Sequence, residues 1–94
     1  MKKKAYQEKL KSQLDEWDAK IDVLKAKASK AEAEAKLEYQ ETLEDLKKKR
    51  AEAKDKLQKL SEAGDDAWED MKEGIEAAWS SLGAAIKSAT SRFK

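Results

Sequence analysis

The fold of this chain is decided by residues 5–60, which read AYQEKLKSQLDEWDAKIDVLKAKASKAEAEAKLEYQETLEDLKKKRAEAKDKLQKL. The stretch contains neither glycine nor proline, the two residues that most readily break a helix. Its apolar residues recur at alternating steps of three and four, which is the spacing of a coiled-coil seam. We therefore predict one long helix over residues 1–63. At about 1.5 Å per residue, its glycine-free and proline-free part from residue 5 to residue 60 alone would be roughly 80–90 Å long.

The seam positions share an apolar or small side chain on one face of this helix. They are Leu10, Leu14, Trp17, Ile21, Leu24, Ala28, Ala31, Ala35, Leu43, Leu46, Leu57 and Leu60. The seam thins to alanine from Ala28 to Ala35, where each turn buries less area. After Ala35 the spacing contains one residue more than a heptad allows, which locally relaxes a supercoil. Arg50 also falls on the seam: either it fixes the register by reaching an acidic neighbour, or the seam is loose there.

The helical pattern is interrupted at residues 61–66, which read SEAGDD. Gly64 suits the left-handed position that follows a helix end, and Asp66 with Glu69 is typical of a capping box at a helix start. We predict a turn over residues 64–66 and a second, amphipathic helix over residues 67–94. Because Leu60, Gly64 and Trp68 keep the seam in phase, one continuous helix is the alternative. The apolar stripe of the second helix comprises Trp68, Met71, Ile75, Trp79, Leu82, Ile86 and Phe93.

The predicted fold class is therefore all-α: one long coiled-coil helix, a turn near Gly64 and a shorter helix folded back antiparallel along residues 47–60. Charged residues make up 44% of the 94-residue chain, and many of its hydrophobic residues are alanines. Such a chain cannot bury a sizeable core alone. The seam from Leu10 to Leu24 would have no cover from its own chain, so we predict self-association into a homo-oligomer or filament.

The sequence offers little reaction chemistry. It contains no histidine and no cysteine, which removes the commonest general base, the commonest metal ligand and thiolate chemistry. The acidic residues near Asp66 lie at a helix start, where capping explains them. The formal net charge is +1, without the basic excess of a nucleic-acid-binding protein. We therefore expect no enzyme activity, no catalytic, cofactor or metal site, and no nucleic-acid partner.

The C-terminal segment suggests an alternative role. Residues 77–94 contain no acidic residue, but they carry Lys87, Arg92 and Lys94 together with the apolar residues of the second helix. This composition is typical of an interfacial amphipathic helix, and the basic residues Lys2–Lys4 would add attraction to an anionic membrane surface. The plainer interpretation of the tryptophans is packing between helices. No run of about 20 apolar residues is present, so we expect a cytoplasmic protein, with peripheral membrane contact as the alternative.

Two parts of the chain resemble a family of short bacterial coiled-coil proteins, some of which are labelled stress-response proteins. The first is the N-terminal run with Tyr6, Leu10, Leu14, Trp17-Asp18-Ala19-Lys20-Ile21 and the alanine-rich residues 25–35. The second is the tail with Gly64-Asp65-Asp66-Ala67-Trp68, Gly74, Ala78-Trp79, Leu82 and Arg92-Phe93-Lys94. The resemblance implies a stress-associated, non-enzymatic role and supplies no site residues.

Overall fold

The protein is all-α in the residues that its computed structural model describes, which are 2–64 and 66–93. Three helices follow one another: α1 (Lys2–Lys30), α2 (Ala33–Glu62) and α3 (Trp68–Arg92). They form an elongated bundle that measures 51 × 19 × 17 Å. The bundle is close to the length of a single helix of about 30 residues, as expected when helices of this size lie side by side.

The prediction of one helix through residue 63 is wrong, because that segment breaks near its own middle and folds back on itself as two helices. α1 ends at Lys30 and α2 begins at Ala33, so only Ala31 and Glu32 connect them. Glu32 has an extended backbone, with φ −72° and ψ 162°. The Asp18 carboxylate on α1 meets the Arg50 guanidinium on α2, which places the two helices antiparallel.

Burial of the seam within one chain explains this break. A continuous helix would leave Leu10, Leu14, Ile21 and Leu24 in water unless another chain covered them. Folding in half buries all four, with exposed fractions of 2–6%. Each fully buried leucine or isoleucine side chain contributes about 1.5–3 kcal/mol, which outweighs the helical hydrogen bonds lost at a two-residue connection. The break falls in the alanine-rich part of the seam, where there is least apolar surface to lose.

The second break lies near Gly64, and the predicted interruption of the helix there is confirmed. Its predicted chemistry is wrong. No described residue has a positive φ, so Gly64 does not take the left-handed conformation. Ala63 is instead the extended residue that ends α2, and Ala67 precedes α3 without a side-chain cap from the predicted capping box. Asp65, the middle residue of the predicted turn, lies outside the described residues.

Aromatic contacts fix the direction of α3. At one end of the bundle the Tyr39 ring on α2 stacks on Phe93, with ring centroids 4.0 Å apart. At the other end the Tyr6 ring on α1 lies 5.7 Å from the Trp68 ring, measured between centroids. α3 therefore runs antiparallel to α2 and parallel to α1. The predicted second helix ends at Arg92, and Lys94 lies outside the described residues.

Candidate interaction surfaces

All the predicted seam residues lie on the inner faces of α1 and α2 or beside the connection between these helices. Seven are buried: Leu10, Leu14, Ile21, Leu24, Ala28, Leu46 and Leu60. Five are half-buried: Trp17, Ala31, Ala35, Leu43 and Leu57. The seam thus packs against its own chain, and the exposed apolar surface from which we predicted self-association is absent from the closed bundle. Self-association itself remains a prediction.

The apolar stripe of α3 forms the third wall of the same core. Trp68, Ile75, Trp79, Leu82, Ile86 and Phe93 are buried, and Met71 is half-buried. One polar atom in this stripe lacks a partner: the Trp79 Nε1–H is buried and makes no hydrogen bond. An unpaired buried donor costs about 1–3 kcal/mol, so the bundle holds Trp79 in an incompletely satisfied site.

The outer face of α3 changes character along the helix. Its first half carries Glu69, Asp70, Glu73 and Glu76, whereas residues 77–93 contain no acid. The exposed positions of that second half are small, hydroxylated or basic: Ala77, Ser80, Ser81, Ala84, Lys87, Ser88, Ser91 and Arg92. This face is therefore positive and weakly polar, unlike the alternating charges of α1 and α2.

Few polar contacts tie this half of α3 to the other helices. The Arg92 Nη2 donates to Glu38 Oε1 at 2.8 Å in an exposed ion pair, and the Lys27 Nζ donates to the Phe93 carbonyl at 3.0 Å. Exposed ion pairs contribute between about 0 and 1 kcal/mol. Apolar burial, not ionic attraction, therefore holds this half of α3 in the bundle.

Arg50 reaches an acidic neighbour across the bundle, as one of the two interpretations of its seam position predicts. Its Nε and Nη2 atoms donate to the two carboxylate oxygens of Asp18, the second at 2.8 Å. This forked hydrogen bonding raises the pKa of the Arg50 guanidinium, so the group stays charged. Because both side chains are only about one-third exposed, the pair is a directional contact between α1 and α2.

A polar and aromatic cluster joins the N-terminal ends of α1 and α3. The Tyr6 hydroxyl donates to Glu76 Oε1 at 3.5 Å, and the Lys72 ammonium lies 4.6 Å from the Trp68 ring centroid. Partial burial, followed by the nearby Glu76 charge, raises the pKa of Tyr6. Lys3 also reaches the C-terminal end of α2, where its Nζ donates to the carbonyls of Ser61 and Ala63.

The contact between α1 and α3 is close at Gly83. A Cβ atom at this position would lie 3.0 Å from Cζ2 of the Trp17 indole. The glycine therefore provides the space into which the half-buried Trp17 ring packs. The Trp17 side chain thus joins α1 to α3, in addition to being part of the seam along α1.

A groove of about 660 Å³ runs between α1 and α2 and is open on one side. Ile21 and Leu43 form its apolar lining, and its charged lining alternates in sign among Asp22, Lys25, Glu44, Lys47 and the Asp18–Arg50 pair. Such balanced charge selects neither an anionic nor a cationic ligand. Residues 2–64 and 66–93 hold no cluster of acidic, histidine or cysteine side chains suited to a metal ion.

One buried residue and one contact between helices were not predicted from the sequence. The stripe of α3 included Phe93 but not Ala89, which is buried beside it at the same helical spacing. That spacing could have identified Ala89. The pairing of Trp17 with Gly83 has no local signal, because it joins residues from two helices whose register only the folded bundle fixes.

No helix in the described part of the chain is both long enough and apolar enough to cross a membrane. Comparison of the chain with protein-family models, with curated proteins and with solved structures gave no match.

Proposed function

We propose that this chain is a non-enzymatic helical-bundle protein that binds anionic membrane surfaces reversibly through α3. The observation that carries the proposal is the composition of α3 itself. The helix hides a continuous apolar stripe inside the bundle, and its outer face is free of acid over residues 77–93. A helix with this division lies in the plane of a membrane interface, with its apolar face among the lipids.

Trp79 supports this proposal. Inside the bundle its Nε1–H is buried without an acceptor. At a membrane interface, water and lipid carbonyl oxygens would satisfy the same donor while the ring stays in apolar surroundings, which is why tryptophan is enriched there. Transfer of α3 to lipid would therefore relieve a cost that the closed bundle bears.

The outer face of α3 supports an anionic and loosely packed target. Lys87 and Arg92 are exposed on this face, and each basic residue near an anionic surface contributes about 1 kcal/mol to binding. The remaining polar positions are mostly serines, so the helix depends on insertion of its apolar stripe. This pattern resembles helices that are sensitive to lipid packing.

The connection between α2 and α3 suits the required movement. Gly64 is exposed, and a Cβ atom placed on it would meet no other atom within 4 Å. Few polar contacts hold residues 77–93, so release of this segment mainly exchanges protein for lipid around the same apolar side chains. The stress-associated role that the resemblance implies would fit a protein that covers membrane surfaces when their packing is disturbed.

A flotation assay tests this proposal with vesicles of phosphatidylserine and phosphatidylcholine. The test variant Ser81→Glu/Ser88→Glu adds acids to the outer face of α3, and the control variant Ser12→Glu/Ser29→Glu makes the same change on α1. All four serines are exposed, so both variants should keep the bundle. We expect the wild type and the control to float, and the α3 variant to lose about tenfold or more in binding. Absence of flotation, or equal loss in both variants, would contradict the proposal.

Self-assembly is the second candidate function, in which the chain is a structural coiled-coil protein with copies of itself as partners. The observation that favours it is the connection between α1 and α2. Ala31 and Glu32 join two helices without any residue that disfavours a continuous helix. A second copy could therefore take the place of the intrachain partner.

A further inference from the structure

We propose that two copies of this chain exchange α1 by straightening the connection at Ala31–Glu32. The product is a domain-swapped dimer in which α1 and α2 form one continuous helix and each α1 packs against the partner's α2 and α3. The inference rests on self-assembly, the second candidate function, and names its partner and its route. It does not depend on lipid binding.

The connection lacks the residues that usually end helices. Between Val23 and Glu44 the sequence contains no glycine, proline, asparagine or aspartate. The Glu32 side chain makes no capping hydrogen bond to α2. Its φ of −72° is already close to the helical value, and its ψ of 162° is the angle that departs from it. Local chemistry therefore favours a helix through this connection, and tertiary packing opposes it.

Straightening the connection would restore hydrogen bonds that the closed chain gives up. A helix end leaves backbone N–H or C=O groups without intrahelical partners, and this turn creates two such ends. At the turn, the Ala31 N–H donates to the Ala28 carbonyl at 3.2 Å and the Lys36 N–H donates to the Glu32 carbonyl at 2.7 Å. A continuous helix would add the missing bonds on both sides.

The contacts that α1 loses on leaving its own chain exist in the same form on a second copy. They include the Asp18–Arg50 pair, the Trp17–Gly83 contact and the hydrogen bond from Lys27 to Phe93. The exchange therefore keeps the core intact and costs mainly the entropy of association. Such a balance makes the dimer fraction depend on protein concentration.

Small side chains lie where the two long helices of the dimer would pass each other. Ala28 is buried and Ala31 and Ala35 are half-buried at the connection. Alanine at these positions permits close approach of two helix backbones. Because each α1 inserts into the other copy, the two exchanges close on each other, which gives a dimer and not an open filament. In the domain-swapped dimer, the regularly spaced apolar residues of 5–60 would form one continuous seam along a single long helix.

The variant Ala33→Pro tests the hinge. Ala33 is exposed and is the first residue of α2. A backbone N–H at this position has no intrahelical acceptor, so proline, which lacks the N–H, costs no helical hydrogen bond here. The extended backbone of Glu32 is the conformation that a residue before proline prefers. Proline here fits the closed turn and disrupts the straight helix. The variant Ala33→Ser is the matched control.

Chemical crosslinking reads the topology directly. The chain has no cysteine, so Lys3→Cys/Ser61→Cys supplies the only thiols. In the closed chain the two positions are neighbours, since the Lys3 Nζ lies 3.3 Å from the Ser61 carbonyl oxygen. In a straight helix the same positions are about 90 Å apart within one chain. A short bismaleimide can then join them only between two chains.

The experiment refolds each protein at low and high concentration, separates the species by size-exclusion chromatography with light scattering, and crosslinks each one. We expect a dimer that increases with concentration, links between chains in the dimer and within chains in the monomer, and loss of the dimer in Ala33→Pro but not in Ala33→Ser. A dimer of internally linked chains would overturn the exchange and leave self-assembly standing. Absence of any dimer at high concentration would overturn both.

Discussion

Single side chains at the two ends of the bundle show how charge and aromatic surface are combined in this protein. Tyr6 contacts the Trp68 ring and donates its hydroxyl hydrogen to Glu76, while Tyr39 stacks on Phe93 at the opposite end. Each aromatic contact joins α3 to a different helix. The Tyr6 contact also responds to pH, because a half-buried phenol beside a carboxylate resists ionisation.

Alkaline pH should weaken the bundle through Tyr6. The pKa of Tyr6 is raised above its ordinary value of 10.0 in the folded chain, first by burial and then by Glu76. Because the pKa of Tyr6 is higher in the folded chain than in the unfolded chain, the contribution of Tyr6 to stability is complete below about pH 10. This contribution is lost as the pH rises through the pKa of the folded chain. The variant Tyr6→Phe keeps the ring and removes the titration.

Urea unfolding at about pH 8 and about pH 10.5 measures this effect. All other residues are the same in the two proteins, so the remaining effects of pH are common to both and cancel in the comparison. The wild type should lose more stability between the two pH values than Tyr6→Phe does. Equal losses would show that Tyr6 has the same pKa in the folded and unfolded chains.

At the scale of the helices, Gly83 of α3 packs against Trp17 of α1, and the two glycines inside α3 allow packing to be separated from helix propensity. A Cβ atom at Gly74 would meet only the flexible Lys56 Nζ, at 3.8 Å, whereas at Gly83 it would lie 3.0 Å from the Trp17 ring. Gly74→Ala should therefore stabilise the protein by about 0.5–1 kcal/mol, because alanine favours helix. Gly83→Ala should gain at least about 0.5 kcal/mol less, since the indole must shift. Thermal or urea unfolding of the two variants checks this difference, and equal gains would mean that Trp17 does not pack on α3.

The helices also show what sequence reasoning can and cannot predict here. The inward faces of all three helices follow from apolar periodicity, and the break near Gly64 follows from a helix-disfavouring residue. The break at Ala31–Glu32 contains no such residue. Burial of leucines far along the chain causes this break, although the segment itself favours a helix. The thinning of the seam at Ala28–Ala35 and the extra residue in its spacing were the only local signs.

Some features of the candidate surfaces can also be predicted from the sequence, whereas others depend on the packing of the bundle. The acid-free outer face of residues 77–93 is visible in the sequence, since it depends on composition and helical spacing alone. The partner of Arg50 could not be predicted, because several acids lie within reach of a flexible guanidinium and only the antiparallel packing of α1 and α2 selects Asp18. Likewise, the unpaired Trp79 Nε1–H is a property of the packed core.

For the whole molecule, the central question is which partner covers a long, narrow apolar seam. The sequence allows the same seam to be covered by its own chain, by a second copy or by a lipid surface, because all three bury the same side chains. In the three-helix bundle, two short connections allow the helices of one chain to pack together and bury the seam. A partner within the same chain is favoured at low concentration, whereas a second copy is favoured as concentration rises.

Small-angle X-ray scattering on the monomer fraction, measured as it leaves a size-exclusion column with light scattering, shows directly whether one chain covers its own seam. We expect a particle with the mass of one chain, a radius of gyration near 15.2 Å and a longest dimension near 51 Å, apart from a thin hydration layer. A particle with the mass of one chain but a length of about 90 Å would contradict this expectation, because residues 2–62 would then form a single straight helix.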